Sequence, residues 1–392
     1  MRRVLILTAG FGEGHNAAAR GLKEGFDSLG DEFQTEVMDL FEPAFGRFYQ
    51  KSRRDYLWLV NHAPRVWAAI YSVLDRLPVL RFLARFLTPL RGELERALSQ
   101  FRPDVIVSVY PVYGYVLEAA VREAGIGPVK SYVMITDSIT VNSVWLRCGA
   151  DVFCVANEDT AQVLLAAGVP REKVRVSGFP VSLRFADDGL KREDPLVDGG
   201  LPRVLFMVNG QRERAVLLVE RLLRQGGIEL SVTVGKDEEL GRRLVELAAR
   251  MGRDLRVLGW VENVPGLIRS HHLLIGKAGG AMVQEALAGC VPMLVTQILP
   301  GQEEGNARLI LQNGCGAFCP TNEVVASTVE RVFENGASVW FQMHRHVIAL
   351  SRPAAARDAA EWIRGQIGGG ANAGAAGLAG GGEPVFGVRA FN

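Results

Sequence analysis

Short apolar, β-branched segments alternate with helical patterns along almost the whole of this 392-residue chain. Strands that are apolar on both faces and separated by helices are typical of parallel sheets, in which helices cover the faces. The pattern therefore predicts an α/β fold. The predicted strands of the first half are residues 2–9, 104–110, 131–136, 151–156 and 174–177, and those of the second half are residues 203–208, 230–235, 256–258, 272–275 and 291–296.

A polar segment rich in Gly, Pro and charge, residues 187–202, divides this pattern and predicts a linker. A chain of this length usually forms two domains, each with its own core. We expect a first domain over residues 1–186 and a second over residues 203–338. Residues 339–367 have a helical period that a proline should interrupt. The Gly- and Ala-rich residues 368–392 are expected to form a disordered tail.

A glycine turn joins the predicted strand 272–275 to a predicted helix over residues 281–288, and a polar loop follows the next strand. A helix that begins behind glycines presents free N–H groups and a positive dipole end, which suit a diphosphate. A carboxylate on its first turns suits a ribose diol, and an amide beside a carboxylate suits sugar hydroxyls. These elements predict a sugar-nucleotide site; the alternative is an ordinary turn with solvated polar residues. The candidate residues are Lys277, Gly279, Gly280, Glu285, Gln302, Glu303 and Asn306.

Three glycines at alternate positions, Gly10, Gly12 and Gly14, follow the first predicted strand and precede His15. Glycine lets a backbone turn tightly and approach a ligand closely. The next helix is expected over residues 17–29, so His15 is placed on the turn. Ligands in open α/β sheets bind beyond the carboxyl ends of strands, which makes His15 a candidate catalytic residue. The alternative is a turn residue that caps the helix.

Charge, cysteine usage and hydropathy narrow the function classes. The net charge of +1 gives no global field that would recruit nucleic acid. Five cysteines without zinc-ligand spacing indicate reduced cytosolic thiols. The chain enters a strand directly and lacks a run of about 18 apolar residues, so no signal peptide or membrane span is expected. The histidine pairs at 271–272 and 344–346 point apart on their elements, so no metal site is expected.

The basic segment, residues 41–102, carries eleven Arg or Lys against five Asp or Glu, an excess of six in a nearly neutral chain. Trp58 and Trp67 lie among these charges, and Arg81 and Arg85 alternate with Leu and Phe. Basic residues beside aromatic and aliphatic ones suit an anionic membrane face, where each contributes about 1 kcal/mol. The alternative is a pair of amphipathic core helices with a solvated basic face.

Four segments resemble the monogalactosyldiacylglycerol synthase and processive diacylglycerol glucosyltransferase family, a relative of the peptidoglycan glycosyltransferase that makes lipid II. They are residues 10–15, 136–145, 177–181 and 276–306, within a resemblance over about residues 1–365. The resemblance implies a GT-B fold, in which two Rossmann-like domains face each other across a cleft and the last helix crosses back to the first domain. It also implies inverting transfer from a UDP-sugar to a lipid without a metal or cofactor.

The resemblance also assigns site residues. Gly12 and Gly14 join the donor-binding set, and Trp145 joins the residues expected to face the acceptor and the membrane. A family histidine before that tryptophan is Asn142 here. The glycine-rich turn after the first strand of the second domain has a single glycine, so either diphosphate contacts come from Arg212 or Arg214 or the donor binds in a different position. The candidate donor-binding residues of this turn are Asn209, Gly210 and Arg212.

The expected reaction is a single displacement at the anomeric carbon of the donor. His15 is expected to take the proton of the attacking hydroxyl, and Asp137 to orient His15 or to replace it as base. For Asp137, a helix N-cap or turn position is the alternative. The N-terminus of the helix at Gly280 and a nearby arginine are expected to stabilise the departing UDP.

Three functions stay open from the sequence. The first is transfer of a hexose from a UDP-sugar to diacylglycerol by a cytoplasmic protein on the inner face of the cell membrane. The second is transfer to another acceptor, such as an undecaprenyl-linked muropeptide or a small alcohol. The third is a sugar-nucleotide epimerase or a non-catalytic binder with the same cleft.

Overall fold

The computed structural model describes residues 1–77, 84–187 and 200–368, and these residues form two lobes, each with a six-stranded parallel sheet. The N lobe contains β1 (Arg2–Thr8), β2 (Phe33–Asp39), β3 (Val105–Ser108), β4 (Lys130–Met134), β5 (Val152–Val155) and β6 (Val174–Val176). The C lobe contains β7 (Arg203–Met207), β8 (Glu229–Thr233), β9 (Arg256–Leu258), β10 (Leu273–Lys277), β11 (Met293–Gln297) and β12 (Gly316–Phe318). The predicted α/β class is confirmed in both halves.

The helices of the described residues are numbered in chain order. Those of the N lobe are α1 (Glu13–Asp27), α2 (Phe41–Phe45), α3 (Arg47–His62), α4 (Pro64–Arg76), α5 (Thr88–Phe101), α6 (Leu117–Glu123), α7 (Ser143–Leu146) and α8 (Glu158–Ala166). Those that follow are α9 (Arg212–Gln225), α10 (Glu238–Met251), α11 (Val264–Arg269), α12 (Gly280–Ala288), α13 (Glu304–Gln312), α14 (Asn322–Leu350) and α15 (Ala355–Gly368).

The order of the strands indicates where the site lies. It is β2-β1-β3-β4-β5-β6 in the N lobe and β12-β11-β10-β7-β8-β9 in the C lobe. The direction in which successive strands are added therefore reverses between β1 and β3 and between β7 and β10. Ligands of open α/β sheets bind beyond the carboxyl ends of the strands at such a reversal. The turns after these four strands are the expected walls of a site between the lobes.

Helix α1 shows how the sequence builds the first layer. Ala18, Ala19, Leu22 and Phe26 recur at the three- and four-residue spacing of one helical face, and all four are buried against the first sheet. The central strand β1 is apolar on both faces, as expected for a strand covered by helices on each side. These contacts fix the direction in which the first residues of α1 point.

The last helix crosses back to the N lobe. Helix α15 packs on α1, where a Cβ added at Gly25 would lie 2.2 Å from the carbonyl oxygen of Ala356. The Trp362 ring contacts the Tyr132 ring of β4 at a centroid distance of 5.8 Å. Pro353 lies between α14 and α15 and interrupts the helical period as predicted. This crossing agrees with the expected fold.

Three features differ from the sequence prediction. The edge strands β2 and β12 were not predicted, because β2 has polar residues at alternate positions and β12 has only three residues. Helix α1 begins at Glu13 rather than near residue 17, so residues 13–16, which were predicted as a turn, form its first turn. Residues 188–199 of the predicted linker and residues 369–392 of the predicted tail lie outside the described residues. The domain boundaries stay predictions.

Candidate active site

His15 lies in the first turn of α1, directly beyond the carboxyl end of β1. In the turn before it, a Cβ added at Gly10 would lie 2.9 Å from the Tyr49 hydroxyl oxygen. Gly12 has open space on its Cβ side, and an added Cβ at Gly14 would lie 3.9 Å from the backbone nitrogen of Ala281 in α12. The glycine turn and the start of α12 therefore face each other across the two lobes.

The hydrogen bonds of His15 fix its tautomer. Its Nδ1 lies 2.8 Å from the carbonyl oxygen of Val109 and 3.2 Å from Thr136 Oγ1. Since a carbonyl only accepts, Nδ1 carries the proton and Nε2 keeps its lone pair. Burial lowers the pKa of His15 to about 4, although the Val109 carbonyl acts in the opposite direction. His15 is therefore a neutral imidazole at pH 7. Its Nε2 can accept a proton, because the contact with Val109 is made by Nδ1.

Asp137 lies on the loop after β4, and Trp145 holds it. The Trp145 Nε1–H donates to Asp137 Oδ2 at 2.9 Å, and the indole ring lies 6.1 Å from the His15 ring. Burial raises the pKa of Asp137 to about 6, the Trp145 hydrogen bond lowers it, and the charge of Glu303 raises it further. Asp137 is mainly ionised at neutral pH and is a second group able to accept a proton here.

Two expectations about this pair need correction. Val109 O holds the His15 ring through Nδ1, and the hydrogen bond shown for Asp137 goes to Trp145 rather than to His15; the N-cap of α7 is Asn142, not Asp137. Trp145 is only 3% exposed, so it cannot contact a membrane. Its place is inside the site, between Asp137 and His15.

The C lobe meets the Asp137 loop through glycines and Asn306. An added Cβ would lie 2.8 Å from Thr136 O at Gly280 and 1.8 Å from Ser138 O at Gly305. The Ser138 N–H donates to Asn306 Oδ1 at 3.1 Å, and Asn306 Nδ2 donates to Ala278 O. Asn306 was predicted to bind the donor, but its buried amide instead fastens the loop of the N lobe to the C lobe.

Lys277, Gln302 and Glu303 converge beside this contact. Lys277 Nζ lies 3.0 Å from Glu303 Oε1, and the N–H of Leu299 donates to Glu303 Oε2. Glu303 is only 5% exposed, and both of its oxygens are engaged. The Tyr56 hydroxyl donates to Gln302 Oε1 at 3.3 Å. Lys277 is the part-exposed cation of the group, while Gly279 packs against its side chain.

Glu285 lies on the second turn of α12 and faces α1. Burial raises its pKa to about 7, while the charge of Arg20 lowers it and that of Glu13 raises it. Both of these charges belong to the N lobe. The carboxylate therefore lies in the layer between the lobes, near the helix start that was predicted to bind a diphosphate.

Comparison with solved structures establishes the fold. MurG from Acinetobacter baumannii superposes with a TM-score of 0.60 at 15% identity, covering 93% of this chain and 99% of that one. A UDP-GlcNAc 2-epimerase from Neisseria meningitidis bound to UDP-GlcNAc has a TM-score of 0.59 at 14% identity, covering 93% and 99%. Identities this low show the fold alone, and the expected GT-B architecture is confirmed.

Comparison of sequences addresses the family. Residues 15–181 match the family model described as monogalactosyldiacylglycerol (MGDG) synthase. A probable chloroplastic monogalactosyldiacylglycerol synthase of Glycine max is 27% identical over 370 residues, covering 90% of this chain and 69% of that protein. The predicted family resemblance is confirmed, and the chain is a glycosyltransferase.

The turn after β7 of this glycosyltransferase does not present the predicted arginine. Arg212 Nε lies 2.6 Å from Asp237 Oδ2, and its Nη1 pairs with Glu239. Arg214 donates through Nη2 to the carbonyl oxygens of Pro320 and Thr296. Both guanidinium groups are engaged within the C lobe, so the predicted diphosphate contact of Arg212 is not supported.

The other two candidates of this turn, Asn209 and Gly210, contribute to the shape of its backbone. Asn209 Nδ2 donates to Met207 O, and Gly210 has a φ of +72°, which glycine adopts without strain. The single glycine of the turn is therefore used for its backbone shape.

The basic segment of the glycosyltransferase has an exposed and a buried side. Trp58 is 59% exposed, whereas Trp67 packs between Tyr56 and Tyr71 at centroid distances of 5.0 and 6.3 Å. Of the predicted basic contacts, Arg81 and the side chain of Arg85 lie outside the described residues. Within the described ranges, no helix has the length and apolar character needed to cross a membrane. Trp58 therefore fits a surface role, and Trp67 does not.

Sequence reasoning did not single out the tyrosines around the site. Tyr110 packs edge-on against the His15 ring at 5.0 Å, and Tyr56 and Tyr71 of the basic segment line the layer between the lobes. The available signal was the spacing of Trp67 and Tyr71, which places them on one face of a helix. Asn142, which departs from the family pattern, caps α7 and also donates to Tyr71 O.

No group of three or more His, Cys, Asp or Glu side chains in the described part of the chain could hold a metal ion. Transfer without a metal ion stays a prediction.

Proposed function

We propose that this glycosyltransferase moves a hexose from a UDP-sugar to diacylglycerol, with inversion, at a membrane surface. The observation that carries the proposal is the arrangement of His15, Asp137 and Trp145 opposite the N-terminus of α12. Two groups of the N lobe that can accept a proton face a helix start of the C lobe that suits an anion, which supports the proposal. The sequence similarity to monogalactosyldiacylglycerol synthases supports the lipid acceptor.

The donor is assigned to the C lobe. The free N–H groups at Gly279 and Gly280 and the Lys277 ammonium suit a diphosphate, and Gly12 leaves open space opposite. Glu285 is the assigned partner of the ribose hydroxyls. Gln302 is assigned to the hexose, because Glu303 is already held by Lys277 and a backbone N–H.

In the proposed reaction the acceptor hydroxyl attacks the anomeric carbon while one of the two N-lobe groups takes its proton. His15 offers an unprotonated Nε2, and Asp137 offers a carboxylate fixed by Trp145. As the sugar–phosphate bond breaks, negative charge grows on the UDP oxygen. The dipole of α12 and Lys277 stabilise this charge.

The membrane surface is assigned to the outer side of α3 and α4. Phe48, Trp58, Val66, Ile70 and Val73 are between 40% and 70% exposed there. Exposed basic side chains accompany them, namely Arg47, Arg54 and Arg65. Contiguous exposed apolar residues mark an interaction surface, and the added positive charge favours an anionic membrane.

The direct test is mass spectrometry of lipid products after incubation with diacylglycerol and a panel of UDP-sugars. The expected product is a lipid one hexose heavier from at least one donor. Release of sugar from the nucleotide without any glycolipid, or transfer only to a soluble alcohol, would reject the diacylglycerol acceptor.

An epimerase remains the second candidate because carboxylates of both lobes approach each other here, with Glu303 raising the pKa of Asp137. Both oxygens of Glu303 are engaged, however, so transfer is favoured. Interconversion of UDP-sugars without lipid would reverse this preference.

The loss of activity at low pH should reflect protonation of Asp137. Its pKa of about 6 means that the carboxylate is ionised above that pH and protonated below it. If catalysis needs the ionised form, kcat/KM should fall as the pH is lowered, with a midpoint near pH 6. This acidic limb of the pH profile should be absent in Asp137→Asn. A pH profile that stays flat to about pH 4, the pKa of His15, would show that His15 alone sets the limit.

Glu285→Ala should weaken UDP binding by about 1–3 kcal/mol, the cost of a lost charged hydrogen bond. Because the pKa of Glu285 is about 7, UDP affinity of the unmodified protein should also decrease as the pH falls below 7. Calorimetric titration measures both. Glu246→Ala, an exposed carboxylate on α10, is the matched control and should bind UDP normally; equal affinity in the Glu285 variant would exclude the ribose role.

The membrane surface can be tested without deleting the basic segment, whose Leu90, Leu94 and Tyr49 are buried in the core. A triple change of Val66, Ile70 and Val73 to serine should cost about 2 kcal/mol or more of vesicle binding, since full burial of one such side chain contributes about 1.5–3 kcal/mol. Flotation with anionic vesicles measures this loss.

The control for this experiment changes three equally exposed apolar residues elsewhere. Leu217, Val245 and Ile348 are 58%, 55% and 51% exposed. Their serine triple variant should float as the unmodified protein does. Equal flotation of both triple variants would place membrane contact on another face.

A further inference from the structure

Helix α4 carries two different faces. Val66, Ile70 and Val73 point outward and are 53%, 40% and 50% exposed. Trp67 and Tyr71, one turn apart, point inward to the layer between the lobes, where the Tyr71 ring lies against Gly301 of the C lobe. One helix therefore connects the surface assigned to the membrane with the site.

The inward face of α4 carries two polar hydrogens that lack a hydrogen-bond acceptor among the described residues. Trp67 Nε1 and the Tyr71 hydroxyl are sealed from solvent and have no hydrogen-bond partner among the described residues. The side-chain amide of Asn142 lies near the Tyr71 hydroxyl without meeting hydrogen-bond geometry. The Asn142 side chain lowers the pKa of Tyr71, which is the effect of an amide N–H directed at the hydroxyl oxygen, so the Tyr71 proton still lacks an acceptor.

Tyr71 lies near Asp137, and the Trp67 ring packs against the Tyr71 ring. Burial raises the pKa of Tyr71 well above 10, and the nearby charge of Asp137 raises it further. The pKa of neighbouring Tyr56 rises to about 12 by burial and feels Glu303 and Asp137. Buried donors without acceptors are rare because they cost free energy, and such a group calls for a specific explanation. Gly301 of the C lobe lies against the Tyr71 ring, and Gln302 accepts from the Tyr56 hydroxyl, whose ring packs on Trp67.

We propose that Trp67 Nε1 and the Tyr71 hydroxyl bind the ester carbonyl oxygens of a diacyl glycerolipid acceptor, and that they select ester-linked over ether-linked lipids. This inference rests on the proposed transfer to diacylglycerol. An ester carbonyl is an acceptor without a hydrogen of its own, which complements a pair of orphan donors.

The order of chemistry along the acceptor matches the order of residues across α4. Diacylglycerol has acyl chains, then two ester carbonyls on adjacent glycerol carbons, then a free hydroxyl. The helix offers exposed apolar side chains, then two N–H and O–H donors, then Asp137 and His15 beyond them. A lipid that keeps its chains in the membrane places its carbonyls at the donors and its hydroxyl at the base. The lipid reaches the donors when the loop at Gly301 moves away.

The experiment uses Tyr71→Phe, which removes only the hydroxyl, and Trp67→Phe, which removes the N–H together with part of the ring, so that any packing loss appears equally with both lipids. Transfer is measured to a diacylglycerol and to the dialkyl-ether glycerol of the same chain length, in identical mixed micelles. The matched control is Tyr132→Phe, because the Tyr132 hydroxyl is also buried without a partner but lies in β4 against Trp362.

The unmodified protein should prefer the ester lipid. Each variant should lose about five- to tenfold in kcat/KM for the ester lipid, as expected for one hydrogen bond, and less than twofold for the ether lipid. The KM for the UDP-sugar should not change, and Tyr132→Phe should alter neither lipid.

Three results would overturn the inference. Equal losses for both lipids would assign Trp67 and Tyr71 a structural role only. A raised KM for the UDP-sugar with an unchanged lipid preference would assign the two donors to the hexose. Absence of transfer to either lipid by the unmodified protein would remove the proposed function itself, and the subsite with it.

Discussion

Replacing His15 with alanine is expected to reduce kcat by about 10²-fold or more, with little change in the affinity for UDP. The imidazole is neutral at pH 7, its Nδ1 proton is held by Val109 O, and its Nε2 can accept the proton of the attacking hydroxyl. The side chain belongs to the N lobe, whereas the groups assigned to UDP lie mainly in the C lobe. Steady-state transfer assays and calorimetric titration with UDP measure the two quantities separately.

The matched control for this variant is His346→Ala. His346 is exposed on α14, and its Nδ1 also contacts a backbone carbonyl, that of Gly314, at 3.2 Å. Its loss should leave turnover and UDP affinity unchanged. If His15→Ala keeps normal turnover, His15 is not the base, and Asp137 becomes the remaining candidate.

A second large effect is expected for Gly305→Ala. An added Cβ would lie 1.8 Å from Ser138 O and 2.3 Å from Thr140 N, both rigid backbone atoms of the loop that carries Asp137. Ordinary contact needs well over 3 Å, so the loop and α13 must move apart by more than 1 Å. A displacement of that size at a reacting centre costs about 10²-fold in rate.

Gly92→Ala is the control for this glycine change. Gly92 lies within α5 and has no atom within 4 Å of the added Cβ. Alanine there should raise stability by about 0.5–1 kcal/mol and leave transfer unchanged. Thermal unfolding and transfer assays should be run on both variants. Full activity in Gly305→Ala would mean that close contact between the lobes is not needed for transfer.

Local signals in the sequence were sufficient for much of the fold. β-branched runs between helical patterns predicted the central strands of both sheets, because each run is buried on both faces. The edge strand β2 was missed because one of its faces is partly exposed, which breaks the apolar run. The start of α1 was misplaced because glycine has a low helix propensity, while packing of α1 against the sheet overrides that preference here.

The candidate site was also predicted only in part from local signals in the sequence. His15 and Gly280 were placed by turns next to strands, and the structure brings both turns to the layer between the lobes. The ion pairs of Arg212 were not foreseen, because its partners, Asp237 and Glu239, lie on a different turn of the chain. The burial of Trp145 was likewise missed, because a single tryptophan carries no local sign of which surface covers it.

The sequence by itself determined the two parallel sheets, the glycine turns beyond β1 and β10 and the family resemblance, since these depend on periodicity and on residues close together in the chain. Only the tertiary structure decided that Asn306 joins the lobes, that Val109 sets the tautomer of His15, and that Trp67 and Tyr71 face inward with unpaired donors. The reason is that each of these properties arises from contacts between residues tens to hundreds of positions apart, and burial and hydrogen bonding there exist only once the lobes are packed.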